Sequence, residues 1–116
     1  MGIPVYLVEF QGLSAQEVYE LALQHCSFDE DLVFTHGDYC LPNILLDRQL
    51  RQVSGLLDWG RAGIADRYND LALAARSLAR NFGDQWVPLL FTEYGLASPD
   101  RVKLQFYRAL DELVCL

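Results

Sequence analysis

An aspartate and an asparagine five residues apart, Asp38 and Asn43, stand in the run His36-Gly37-Asp38-Tyr39-Cys40-Leu41-Pro42-Asn43. Fifteen residues beyond the asparagine comes a second aspartate, in Asp58-Trp59-Gly60. These are the polar side chains that phosphoryl transfer asks of a protein. One carboxylate orients the attacking hydroxyl and accepts its proton. An amide oxygen and a second carboxylate hold the Mg²⁺ ions that neutralise ATP phosphates. A lone Asp-x-x-x-x-Asn carries little information, because both residues crowd loops as turn formers. With His-Gly before it, Pro ahead of the asparagine and Asp-Trp-Gly following, the pattern becomes specific.

The elements around these residues must bring them together. Asn43 to Leu46 and Gln52 to Leu57 read as two short strands, with Asp47-Arg48-Gln49-Leu50-Arg51 turning between them. Such a hairpin puts Asn43 at the start of one strand and Asp58 just past the end of its partner. Those ends lie side by side in an antiparallel pair, so both ligands can reach one metal. Upstream, Ser14-Ala15-Gln16-Glu17 is a capping box before an apolar stripe at Val18, Leu21 and Ala22, which predicts a helix over 14–25. Leu32-Val33-Phe34 reads as a short buried run leading into the His36 loop.

Past Asp58 the pattern turns helical. Leu71, Ala74, Ala75, Leu78 and Phe82 recur at helical spacing up to Gly83. A second helix over 84–94 would carry Trp86, Leu89, Leu90 and Tyr94 on one side, with Gly95 as its stop. A third would start with Ser98 as N-cap and Pro99 at its first position, its stripe running Val102, Phe106, Leu110 and Leu113. His36 reads as a buried, hydrogen-bonded holder of the loop, and Trp59 as a core plug. His25 and Cys40 receive no chemical role.

Composition narrows the classes. The chain has 116 residues, 52% hydrophobic and 22% charged, which suits one globular domain. No apolar run approaches the roughly 18 residues of a membrane span. The first residues lack the basic region of a signal peptide. The three cysteines, Cys26, Cys40 and Cys115, share no metal-type spacing, so reduced thiols in a cytoplasmic setting are expected. A net charge of −7 argues against nucleic acid and permits a cationic substrate, although on charge alone acidity more often serves solubility.

Two parts of an ATP site are missing. None of the eight glycines forms a phosphate-covering loop. Lys103, the one lysine, lies downstream of every candidate catalytic residue. The expectation is a C-terminal portion of something larger.

The runs H-G-D-Y-C-L-P-N, G-L-L-D-W-G-R-A-G-I-A-D-R-Y-N-D-L-A and F-Y-R-A-L-D-E-L together resemble the aminoglycoside O-phosphotransferases. The likeness extends from about Gln11 to Leu113, and the 3′-phosphotransferase branch of kanamycin and neomycin kinases fits best. It implies an α+β, mainly α-helical fold: a protein-kinase-like C-terminal lobe over 11–116, with a short β-hairpin carrying the catalytic and metal loops. Residues 1–10 stay unassigned, and the N-terminal nucleotide lobe is absent. The resemblance makes Asp38 catalytic, Asn43 and Asp58 magnesium ligands, and Arg61, Asp111 and Glu112 substrate-binding. His36 and Asp70 would support the catalytic loop. ATP and Mg²⁺ would be required, and an aminoglycoside would be the cationic partner, its phosphorylation conferring antibiotic resistance.

The chain also departs from that family. Arg80-Asn81 stands where members often have an acidic pair, which removes part of the drug-binding charge. Val114-Cys115-Leu116 carries the chain past the usual terminus. Without a nucleotide lobe the isolated chain is expected to be inactive, and its uncovered surface could drive self-association. Two other readings are a non-catalytic remnant that only binds aminoglycoside, and the lobe of a related small-metabolite kinase.

Overall fold

A computed structural model describes residues 12–24 and 29–115. The unassigned segment 1–10, with His25 and Cys26, lies outside the described residues. Helix α1 spans Ala15–Gln24 and opens on the expected capping box. The Glu17 N–H donates to Ser14 Oγ at 3.2 Å, and the Ser14 N–H returns to Glu17 Oε1 at 3.3 Å. Strand β1 (Leu32–Thr35) leads to the His36 loop, and a 3-10 turn over Leu41–Asn43 feeds β2 (Ile44–Asp47) and β3 (Gln52–Leu56). These two form the expected hairpin, with Ile44 opposite Leu56 and a bulge at Leu45/Leu46. Its turn is tied by Asp47 Oδ1, which accepts the N–H groups of Gln49 and Leu50.

A strand that the sequence reading passed over, β4 (Gly63–Asp66), pairs antiparallel with β1. Its four residues follow a loop and abut a helix, so they carry no alternation to detect. The apolar run on β1 also differs from expectation. Leu32 is 54% and Phe34 65% exposed, while Thr35 is buried and donates to the Gly63 carbonyl. A two-stranded ribbon has an outer face that only another element can cover, and no described element covers this one.

Helix α2 (Tyr68–Phe82) is the spine, followed by a 3-10 turn over Asp84–Trp86, α3 (Val87–Tyr94) and α4 (Arg101–Cys115). Leu71, Ala72, Ala75 and Ala79 of α2 pack on Val87 and Phe91 of α3 and Leu104 of α4. The alanines let the three axes approach closely. A second cluster joins Val18 and Ala22 of α1 to Ala109 of α4.

Two helical faces are rotated from their expected phase. α3 buries Val87 and Phe91 and leaves Trp86, Leu89 and Tyr94 about half exposed, because the 3-10 turn resets the phase before the helix begins. At α4, Asp100 and not Ser98 is the cap: its Oδ1 accepts the N–H groups of Val102 and Lys103. Wedged between α1 and α2, α4 buries Leu104 on one side and Ala109 on the other; Phe106 and Leu113 of the expected stripe pack against the α1 cluster, while Val102 is exposed.

Under the helices lies Asp66, fully buried, accepting the N–H groups of Asp31 and Tyr68 and the Lys103 ammonium at 2.7 Å. Burial pushes its carboxyl up, but these donors outweigh that and hold it below the usual aspartate value.

Candidate functional site

His36 leaves β1 with its backbone N–H donating to Asp70 Oδ2 at 2.8 Å, and the next N–H, of Gly37, donates to Asp70 Oδ1 at 2.9 Å. One carboxylate from the first turn of α2 therefore pins two consecutive peptide groups of the loop. Gly37 is required there for two reasons. Its φ of +91° is left-handed, and a Cβ would run into the Arg61 carbonyl. The His36 ring is buried. Its Nδ1 accepts the Asp38 N–H at 3.1 Å, so Nε2 carries the proton and donates to the Leu57 carbonyl at 2.6 Å. One imidazole thus ties the loop at Asp38 to the strand end before Asp58.

Asn43 is buried, and its Nδ2 donates to the Asp38 backbone carbonyl at 2.9 Å and to Asp38 Oδ2 at 3.1 Å. Its amide nitrogen is committed to Asp38, so its oxygen is the end that a cation would meet. The Leu57 N–H donates to the Asn43 carbonyl at 2.8 Å, which places Asp58 beside Asn43 across the hairpin. Asp58 is exposed and left-handed, with φ +59°. A carboxylate and an amide oxygen match the hard oxygen donors that Mg²⁺ takes when it keeps waters and phosphates as its other ligands. The residues fit that ion. No cluster of three or more acidic, His or Cys side chains occurs among the described residues, so no all-protein cage competes with this arrangement.

On its other side Asp38 opens on a pocket of about 250 Å³ whose wall includes Arg61, Arg76, Arg80, Asn81 and Asp111. Asp38, Arg61 and Asp111, three of the expected residues, share this space. Asp111 Oδ2 lies 3.3 Å from Arg76 Nη1 and 3.8 Å from Arg108 Nη1, and Glu112 lies 4.0 Å from Arg108. Burial pushes the Asp111 carboxyl above the usual aspartate value and outweighs the pull of Arg76, Arg108 and Arg61. Cys40 also lines the pocket, and burial, followed by the nearby Asp38 charge, pushes its thiol up. That leaves it little thiolate for nucleophilic work.

Sequence reasoning missed two residues. The Ser77 hydroxyl accepts the Leu41 N–H at 2.9 Å and anchors the loop to α2. Arg76 occupies Asp111. Both lie on α2, and finding them requires knowing which face that helix turns to the loop. Trp59 is no core plug. It is 45% exposed, its ring sits 4.4 Å from that of His36, and its indole N–H donates to the Leu56 carbonyl at 2.9 Å.

Comparison with known proteins adds an independent line. A family model described as a phosphotransferase enzyme family matches residues 5–107. An aminoglycoside 3′-phosphotransferase of Niallia circulans is 46% identical over 110 residues, covering 94% of this chain and 41% of that protein. A streptomycin 3′′-kinase of Streptomyces griseus is 42% identical over 112 residues, covering 92% and 41%. Among solved structures, an aminoglycoside-3′-phosphotransferase of type VIII superposes with TM-score 0.78 at 38% identity, covering 89% of this chain and 41% of that one. An aminoglycoside phosphotransferase of Streptomyces rimosus, in complex with ADP and streptomycin, superposes with TM-score 0.75 at 34% identity, covering 96% and 46%. The chain therefore spans about two fifths of these relatives.

Proposed function

The chain belongs to the phosphotransferase enzyme family, and on that premise we propose that residues 11–116 form the kinase-like catalytic and substrate lobe of an ATP-dependent aminoglycoside 3′-phosphotransferase. The observation that carries this reading is the two-sided placement of Asp38. One side faces the pocket that holds Asp111, and the other is bonded to Asn43, which the hairpin sets beside Asp58.

In this reading Asp38 aims a sugar hydroxyl and accepts its proton as the phosphoryl group transfers. Positioning supplies most of the rate, since a loose phosphoryl transition state leaves little covalent work to a protein. Asn43 and Asp58 would hold Mg²⁺, which when bound would supply positive charge to offset that on the transferring group. Asp70 and His36 fix the loop that carries Asp38. Arg61 stands beside the reacting groups, while Asp111 and Glu112 meet substrate ammonium groups, Asp111 by exchanging the partly exposed Arg76 for one of them. A glycine-rich loop and strand lysine, which this sequence does not contain, come from a separate lobe; the 116-residue chain alone does not turn over.

The test replaces the matching region of the Niallia circulans enzyme with residues 11–116. The chimera is expected to release ADP in the presence of kanamycin, and Asp38→Asn to reduce that rate at least about a thousandfold. A folded chimera that phosphorylates no aminoglycoside overturns the assignment.

A further inference from the structure

Trp59 directly follows Asp58 in the chain, and neither core packing nor the Asp38 pocket explains its position. It is half exposed, yet three contacts fix it. Its indole N–H donates to the Leu56 carbonyl, its ring lies 4.4 Å from the His36 ring, and its other neighbour is the Phe34 ring at 6.2 Å. The hydrogen bond runs from residue 59 to residue 56, so it closes a loop around Asp58. That aspartate holds φ +59°, a conformation L-residues other than glycine adopt reluctantly.

The two neighbours of Asp58 are secured to the same imidazole by different means. Leu57 accepts the His36 Nε2–H through its carbonyl, and the Trp59 ring lies against the imidazole, tilted 53° to it. The opposite nitrogen of that ring accepts the Asp38 N–H. The geometry points to Trp59 as a positioning residue: it clamps Asp58 in its left-handed conformation and aims the carboxylate at the cation shared with Asn43. This inference rests on the proposed cation role of Asp58. Residues that orient a metal ligand without touching the metal commonly control affinity through that ligand's geometry.

The roles of ring and N–H separate in two variants. Trp59→Phe keeps an aromatic face against His36 and loses the donor to Leu56. Trp59→Leu loses both. Mn²⁺ binding to the 116-residue chain, followed by electron paramagnetic resonance, is expected to weaken about threefold in Trp59→Phe and about tenfold in Trp59→Leu. Kanamycin affinity measured by calorimetry is expected to stay unchanged, because Trp59 does not line the Asp38 pocket. In a Trp86→Phe background, Mg²⁺ is expected to shift the emission of Trp59 as the sole indole. Equal Mn²⁺ affinity in wild type and in a folded Trp59→Leu variant overturns the inference, provided Asp58→Asn loses binding. Equal affinity in wild type and Asp58→Asn, or no binding by wild type, overturns the cation reading of Asp58 and this inference with it.

Discussion

Two carboxylates of this molecule are held in opposite ways. Asp70 takes two backbone N–H groups of the His36 loop, donors that cannot rotate away. Asp111, on the wall of the pocket, takes the partly exposed Arg76 guanidinium at 3.3 Å, with the buried Arg108 further off at 3.8 Å. Asp66 belongs with Asp70, since two peptide N–H groups and one buried ammonium fix it. The difference separates scaffold from binding surface. Peptide donors have no other partner once the loop is folded, so they hold a carboxylate permanently. A partly exposed cation such as Arg76 can be exchanged for another cation, which is what the proposed binding of substrate ammonium groups requires.

The sharpest way to break this contrast is at Asp66. Asp66→Ala removes the buried carboxylate that meets the Lys103 ammonium at 2.7 Å and is expected to cost about 3–5 kcal/mol in urea unfolding. Asp70→Ala leaves two N–H groups of the loop without acceptors and is expected to cost about 2 kcal/mol, with Mn²⁺ binding also impaired. Asp111→Asn is expected to change unfolding free energy at pH 7 by less than about 1 kcal/mol, because its burial already disfavours the charged form. A cost at Asp111 as large as at Asp70 would erase the distinction. The smallest effect is expected at Ser77→Ala, about 1 kcal/mol from one lost acceptor for the Leu41 N–H.

Acid separates the same residues by sign. The folded value of Asp66 is depressed, so its stabilisation is complete above its unfolded pKa and fades as pH falls through the folded value. The folded value of Asp111 is raised. Its contribution is complete below the unfolded pKa and is lost as pH rises through the folded value, so at neutral pH the ionised group bears its burial cost. Urea midpoints followed from pH 7 down to about pH 2 are therefore expected to show wild type losing its advantage over Asp66→Asn below about pH 4. Over the same range wild type is expected to gain relative to Asp111→Asn.

Much of this was legible in the chain. The capping box predicts the start of α1, and Gly83 and Gly95 mark the ends of α2 and α3. The hairpin follows from two short strands about a polar turn, and with it the side-by-side placement of Asn43 and Asp58. Other features were not legible. The exposed β1 face, the rotated face of α3 and the exposed Trp59 each depend on what packs alongside, and local apolar spacing says nothing of that.

The sequence by itself determined the set of candidate reactive groups and the hairpin that brings two of them together. Those follow from side-chain chemistry and from backbone constraints that act within a few residues. Asp70, which the family resemblance implies as a support of the loop, accepts two of its N–H groups. Tertiary structure alone decided that Ser77 anchors the loop at Leu41, that Arg76 occupies Asp111, and that Trp59 lies against His36. The physical reason is that a helix offers several faces to its surroundings. Which face meets the loop is set by how α2, α3 and α4 bury their alanines and leucines against one another.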